Sequence, residues 1–186
     1  MVIWAIKMSD PIVQELETNN NVTGRTSLES NIDDINTLFM NQGYGDAGQF
    51  MKNVAATESN LGSDKLGDYS FSPFQIDDIR YKDIVQRAGE NPGSKAHDRA
   101  MMVNEYLQGA LNRPDFDIFN LNLQEEGHNP LIGAALTRLG LANVPESIPG
   151  DLEGQANYWK THWNTEAGAG TPEHFMEQVG HHYPNL

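Results

Sequence analysis

The 186-residue chain contains no cysteine. Disulfides and thiolate metal sites are therefore excluded, and packing and hydrogen bonds alone must hold the fold. Basic residues are also scarce: twelve Lys and Arg stand against twenty-six Asp and Glu, a formal net charge of −14. Phosphate backbones are bound by clustered positive surface, so nucleic acid is not an expected partner. No run approaches the roughly eighteen apolar residues that a membrane-crossing helix needs, so no membrane partner is expected either. The apolar patch around Trp4 lacks the basic flank, long apolar core and small-residue cleavage site of a secretory signal. The chain is thus not expected to direct its own export. His97, His128, His162, His174, His181 and His182 show no metal-ligand spacing such as His-Glu-x-x-His. Neither a metal nor a cofactor is expected.

What is present suits one domain with many loops: 38% hydrophobic residues, seventeen glycines and nine prolines. Residues 1–27 read as a loosely structured N-terminal extension. Asp10-Pro11 breaks any early helix, and Asn19-Asn20-Asn21 and Thr23-Gly24-Arg25-Thr26 are turn-prone. From Leu28 the pattern turns helical, with Ile32, Ile35, Leu38 and Phe39 at three- and four-residue spacing, until Gly43-Tyr44-Gly45. Asp46 is expected to cap a second helix with Phe50, Met51, Val54, Ala55 and Glu58 on or beside one face, stopped by Gly62. Residues 60–74 mix Gly, Ser, Asp and aromatics without a period, which predicts a loop with one short hairpin. A helix is expected from about Gln75 to about Arg87. Another follows the cap Ser94 and carries Met101, Met102, Tyr106, Leu107 and Ala110, with the two methionines expected in the core. The segment from Pro114 has no clear period. Pro130 suits the first turn of an apolar helix to Leu141, Asp151 caps one bearing Tyr158, Trp159 and Trp163, and Thr171-Pro172-Glu173 opens the last. The expected fold class is mainly α, with six to eight helices and a short loop or hairpin after Glu58.

Glu58 is the residue with the most chemical content. A carboxylate at a helix end, among apolar neighbours and followed by a polar loop, is placed to have a raised pKa and to protonate a leaving oxygen. Taken alone, a glutamate at a helix end is usually just solvated. Further motifs change its weight: Glu58-Ser59, then Ser72-Pro73-Phe74-Gln75-Ile76, then Asn129-Pro130-Leu131-Ile132-Gly133-Ala134-Ala135-Leu136, then Trp163-Asn164 with Ala167-Gly168 and Gly170. In this order, over roughly residues 46–178, they resemble the signature of the lysozyme-like superfamily. The nearest branches are the lytic transglycosylases and goose-type lysozymes. Residues 155–160 and 168–173 are also similar to segments of phage-encoded lysozyme-like proteins.

The resemblance implies an α+β lysozyme-like catalytic domain over residues 28–186. It implies a phage-encoded muralytic glycosidase, made in the host cytoplasm and acting on the cell wall as a free endolysin or a virion component. In the second case other virion proteins are partners. The substrate would be peptidoglycan glycan strands, cleaved at the β-1,4 bond between N-acetylmuramic acid and N-acetylglucosamine, with chitin a weaker alternative. Glu58 would be the general acid and base. Asp68 and Asp77 stand where goose-type enzymes carry further acids, although Asp77 equally suits a helix N-terminus. Their match slightly favours hydrolysis, while closure of a 1,6-anhydro ring stays open. Gln75, Ser59, Ser70, Ser72 and Asn164 are candidates to bind substrate by hydrogen bonds, and Tyr69, Phe71, Tyr158 and Trp163 by stacking on sugar faces. Of Tyr158 and Trp159, at least one is expected in the core. Two positions depart from the family. Ser72 replaces its first glycine, and Trp163 replaces a tyrosine, losing a hydroxyl that would reach towards the acid. These departures and the charge of −14 motivate the rival expectation, an inactive virion or wall-binding protein on the same fold.

Overall fold

The computed structural model describes residues 24–64, 71–165 and 168–186, a mainly α chain with no strand among them. The described residues form eight α-helices. The first, α1 (Gly24–Met40), buries Leu28, Ile32, Ile35 and Phe39, the stripe that the sequence marked. It begins one turn before Leu28, inside the expected extension. The reason is hydrogen bonding: a first buried residue at 28 needs a carbonyl four positions back to receive its N–H.

Asn36 of α1 sets the entry to α2 (Gly48–Ser59). Its Oδ1 accepts from the Ala47 N–H at 2.9 Å, and its Nδ2 donates to Asp46 at 2.9 Å. Asp46 also accepts the Gly48 N–H at 2.8 Å, although Ala47 is the residue at the cap position itself. Phe50, Met51, Val54 and Ala55 are all buried. The helix stops at Ser59 rather than at Gly62. Asn60, Leu61 and Gly62 are left-handed in series, at φ 52, 54 and 79. The Asn60 N–H returns to the carbonyls of Ala55 and Ala56, the usual closure of a helix by a left-handed residue.

α3 (Asp78–Gly89) starts three residues later than expected, because Gln75 is left-handed at φ 52 and cannot begin a right-handed helix. α4 (Lys95–Ala110) is capped by Ser94 as expected, its Oγ accepting from the His97 N–H at 3.2 Å. Met101 on that helix is 46% exposed, so only Met102 of the pair packs against the core. The segment from Pro114 resolves into a 3-10 turn (Ile118–Asn120) and the four-residue α5 (Leu123–Glu126). Tyr81 of α3 holds it, donating to the Ile118 carbonyl and accepting from the Leu121 N–H, each at 2.9 Å.

α6 (Pro130–Leu141) is the centre of the molecule. Every residue from Leu131 to Leu139 is buried, and the helix touches α1, α2, α3 and α4. A largely apolar helix buried around its whole circumference must sit inside a ring of others. α7 (Leu152–Trp159) runs on into a π-helical turn (Lys160–Asn164), and α8 (Pro172–His182) packs on α2 and α7. Asp151 and Thr171 cap them as the sequence predicts. The end of α2 is thereby reached from both flanks. No described helix is long and apolar enough to cross a membrane.

Candidate active site

Three segments meet at the C-terminal end of α2. The first contact is through Ser59, whose buried hydroxyl donates to the Pro73 carbonyl at 2.6 Å and accepts from the Gly62 N–H at 2.8 Å. Beside it, the Gln75 side-chain amide donates to the Glu58 backbone carbonyl. These two bonds tie the end of α2 to the 71–77 loop. That loop is closed by Ser72, 1% exposed, whose Oγ accepts from the Phe74 N–H at 3.2 Å and the Ile76 N–H at 3.4 Å. Ser72 does not need the left-handed backbone that a glycine would permit there. The left-handed residue of this loop is Gln75. Gly133 of α6 lies against the loop so closely that a Cβ would stand 3.0 Å from that of Ser72.

The third segment is α7 with its π turn. Trp159, 1% exposed, donates its indole N–H to Glu58 Oε1 at 2.9 Å. Trp163 donates its own to the Phe74 carbonyl at 3.3 Å. Over the Trp163 ring, at 4.2 Å, sits the guanidinium of Arg80 from α3, which also donates to the Trp163 carbonyl. π-helical turns are rare and concentrate at functional sites. This one is braced by Lys160, which donates to Asn164 Oδ1 at 2.9 Å and to the Gly168 carbonyl at 2.8 Å. The return strand of chain presses on the site: a Cβ at Gly168 would overlap Asn164, and one at Gly170 would lie 2.5 Å from Trp159 Cη2.

Glu58 is half-buried at this junction. Desolvation raises its carboxyl above the ordinary glutamate value, partly offset by the Trp159 N–H and by the positive charge of Arg80. Burial in turn lowers the guanidinium of Arg80, while Asp77, Glu58 and Asp83 support its charge. The result is a carboxyl that holds its proton better than a free one and points at a defined donor. Such a group can give a proton to an oxygen and take one back.

Comparison of the chain with known protein families, curated proteins and solved structures finds no match.

The predicted site residues divide accordingly. Glu58, Ser59, Ser72 and Gln75 come together, with the two serines spent on backbone groups and Gln75 exposed beside the acid. Asp77 accepts the Arg80 N–H at 2.7 Å and so acts at the start of α3. Phe71, Tyr158 and Trp163 are each under 9% exposed and committed to the core. The ring of Tyr158 packs edge-on against Phe50 at 5.3 Å, and its hydroxyl donates to the Glu146 carbonyl at 3.3 Å. Asn164 faces Lys160. Asp68, Tyr69 and Ser70 lie outside the described residues, as does residue 65–70 of the expected hairpin as a whole.

Sequence reasoning missed Trp159 and Arg80 as neighbours of Glu58. For Trp159 a signal existed, since it precedes Trp163 by four residues on one helical face. It supplies the donor that the tryptophan at 163 was expected to forfeit. Arg80 carried no such signal. A separate open cavity of about 550 Å³, lined by Tyr81, Lys82, Val85, Gly89, Glu90 and Phe119, contains none of these residues.

Proposed function

We propose that the chain cleaves peptidoglycan glycan strands at the β-1,4 bond between N-acetylmuramic acid and N-acetylglucosamine. The substrate class comes from the resemblance of the four motifs to lytic transglycosylases and goose-type lysozymes. The observation that carries the chemistry is the half-buried Glu58 carboxyl, raised by desolvation and bonded to the Trp159 N–H. Glu58 protonates the glycosidic oxygen as the bond to the anomeric carbon breaks and positive charge grows on the sugar. Its carboxylate then accepts the proton of the sugar's own 6-hydroxyl, whose oxygen attacks the anomeric carbon. The ring closes as a 1,6-anhydro end and no water is consumed. Asp77 favours this single-acid route, because its carboxylate is engaged by the backbone of α3. By the same resemblance the protein acts on the wall of a phage's host.

Digestion of purified murein followed by mass spectrometry tests this. Wild type is expected to release fragments with anhydro ends, one water lighter than hydrolysis products. Glu58→Gln is expected to lose about two to four orders of magnitude in rate. Fragments carrying the extra water would move the reaction to hydrolysis with Asp68 as the second acid. If wild type and variant are equally inert across salt and pH, the glycosidase reading fails and the rival, an inactive virion or wall-binding protein, takes its place.

A further inference from the structure

Arg80 is the charged side chain that the glycosidase reading leaves without work. The guanidinium is held at two points, 4.2 Å above the Trp163 ring and as a donor to the Trp163 carbonyl, while the backbone N–H of the residue is taken by Asp77. Trp163 is in turn tied to Phe74, next to the Gln75 that bonds Glu58. One turn before Trp163 is Trp159, the donor to the Glu58 carboxylate. Stacking on an indole is a use of arginine that lysine reproduces poorly, because it needs the flat guanidinium. The fold therefore spends an arginine on holding a positive charge in one place.

That place adjoins the segments that hold Glu58, and the charge acts on its carboxyl without a direct ion pair. Among the described residues the ion pairs within salt-bridge distance are Lys52–Asp33, Arg87–Asp83 and Arg113–Glu126, and Glu58 belongs to none. The distinction matters chemically. A direct pair would favour the carboxylate so strongly that Glu58 would hold no proton near neutrality. A charge held further off weakens that effect, yet still favours the anion left behind when the proton has gone. We infer that Arg80 is a positioning residue for Glu58, fixed by Trp163 at a distance that lets the carboxyl keep its proton before bond cleavage and be stabilised as an anion afterwards. The inference rests on the proposed acid–base role of Glu58 for its purpose, but the coupling itself is measurable without any activity.

Among the described residues Arg80 is the charged group felt at Glu58, and Asp77 and Asp83 act on Arg80. Lys160, on the element that carries Trp159, is occupied by Asn164 and Gly168. Lys65, Asp68 and Glu166 lie outside the described residues. The chain has three tryptophans, so three indole N–H signals are expected in a nitrogen-labelled NMR spectrum. The signal of Trp159, identified by its loss in Trp159→Phe, should follow the protonation of Glu58. In Arg80→Gln its titration midpoint is expected to move up by about half a pH unit or more, a roughly threefold change in proton occupancy at fixed pH. Arg80→Lys keeps the charge but not the stacked guanidinium, so its midpoint is expected to fall between those of wild type and Arg80→Gln. A midpoint unmoved in Arg80→Gln, or moved equally in both variants, overturns the inference. On murein, the alkaline limb of the rate profile should shift with the indole midpoint. Inert wild type with the indole shift present would remove the glycosidase proposal and leave the Arg80–Glu58 coupling standing. An active enzyme without the shift would do the reverse.

Discussion

Glu58 is held in a form that costs stability. Its carboxyl is raised by desolvation above the ordinary value of 4.5. Between that value and the raised one, the folded chain binds a proton that the unfolded chain has lost. Stability therefore falls as pH rises through this window, and the full penalty remains above it. Glu58→Gln removes the penalty while keeping an oxygen to accept from the Trp159 indole. It is expected to raise stability at pH 7 by about 1 kcal/mol, roughly 2–4 °C in a thermal melt. The gain should shrink towards pH 4. A lower melting temperature at pH 7 would count against a destabilised carboxyl. The acid was legible in the sequence because its helix end and apolar neighbours are local. Its partners were not, since Trp159 lies a hundred residues away along the chain and Arg80 reaches the site from another helix.

The elements around the acid are set by close contacts rather than by regular pattern. The loop following the π turn presses on Trp159 through Gly170, where no Cβ fits without displacing the ring. Gly170→Ala is expected to cost about 1–3 kcal/mol and to alter tryptophan fluorescence as Trp159 shifts from Glu58. Gly180→Ala is the control, because nothing lies within 4 Å of a Cβ on that α8 residue. If the two variants melt and fluoresce alike, Gly170 is not the spacer described. Helix starts were legible where a side chain caps a longer periodic helix, as Ser94, Asp151 and Thr171 do, but not at the four-residue α5, which Asn122 caps. The start of α3 was misjudged because Gln75 adopts a left-handed backbone, which only its bond to Glu58 and the turn around Ser72 explain. Met101 was misjudged because adjacent helical residues point about 100° apart and only one of the pair can face the core.

At the scale of the whole molecule, the mainly α class followed from helical spacing; α6 read as a strongly apolar helix, but its central place, with Thr137 and Arg138 buried too, did not follow from the sequence. The stacking residues did not follow, since an aromatic on an amphipathic helix reads alike whether it faces a cleft or the core. The net charge of −14 sets a condition on any anionic target. If the target is the bacterial wall, mutual repulsion should be relieved by screening. The clearing rate is expected to rise between about 10 and 100 mM salt, and a steady fall from the lowest salt would point to attraction instead. One further consequence comes from the bond between Trp159 and Glu58. While the chain is emerging from the ribosome, Glu58 appears long before its partner does. Until Trp159 has followed and docked, the Glu58 carboxyl lacks the hydrogen bond that it accepts in the folded chain. The bond is therefore completed only by the last third of the polypeptide, and a chain that stops short of it leaves the Glu58 carboxyl without its indole donor.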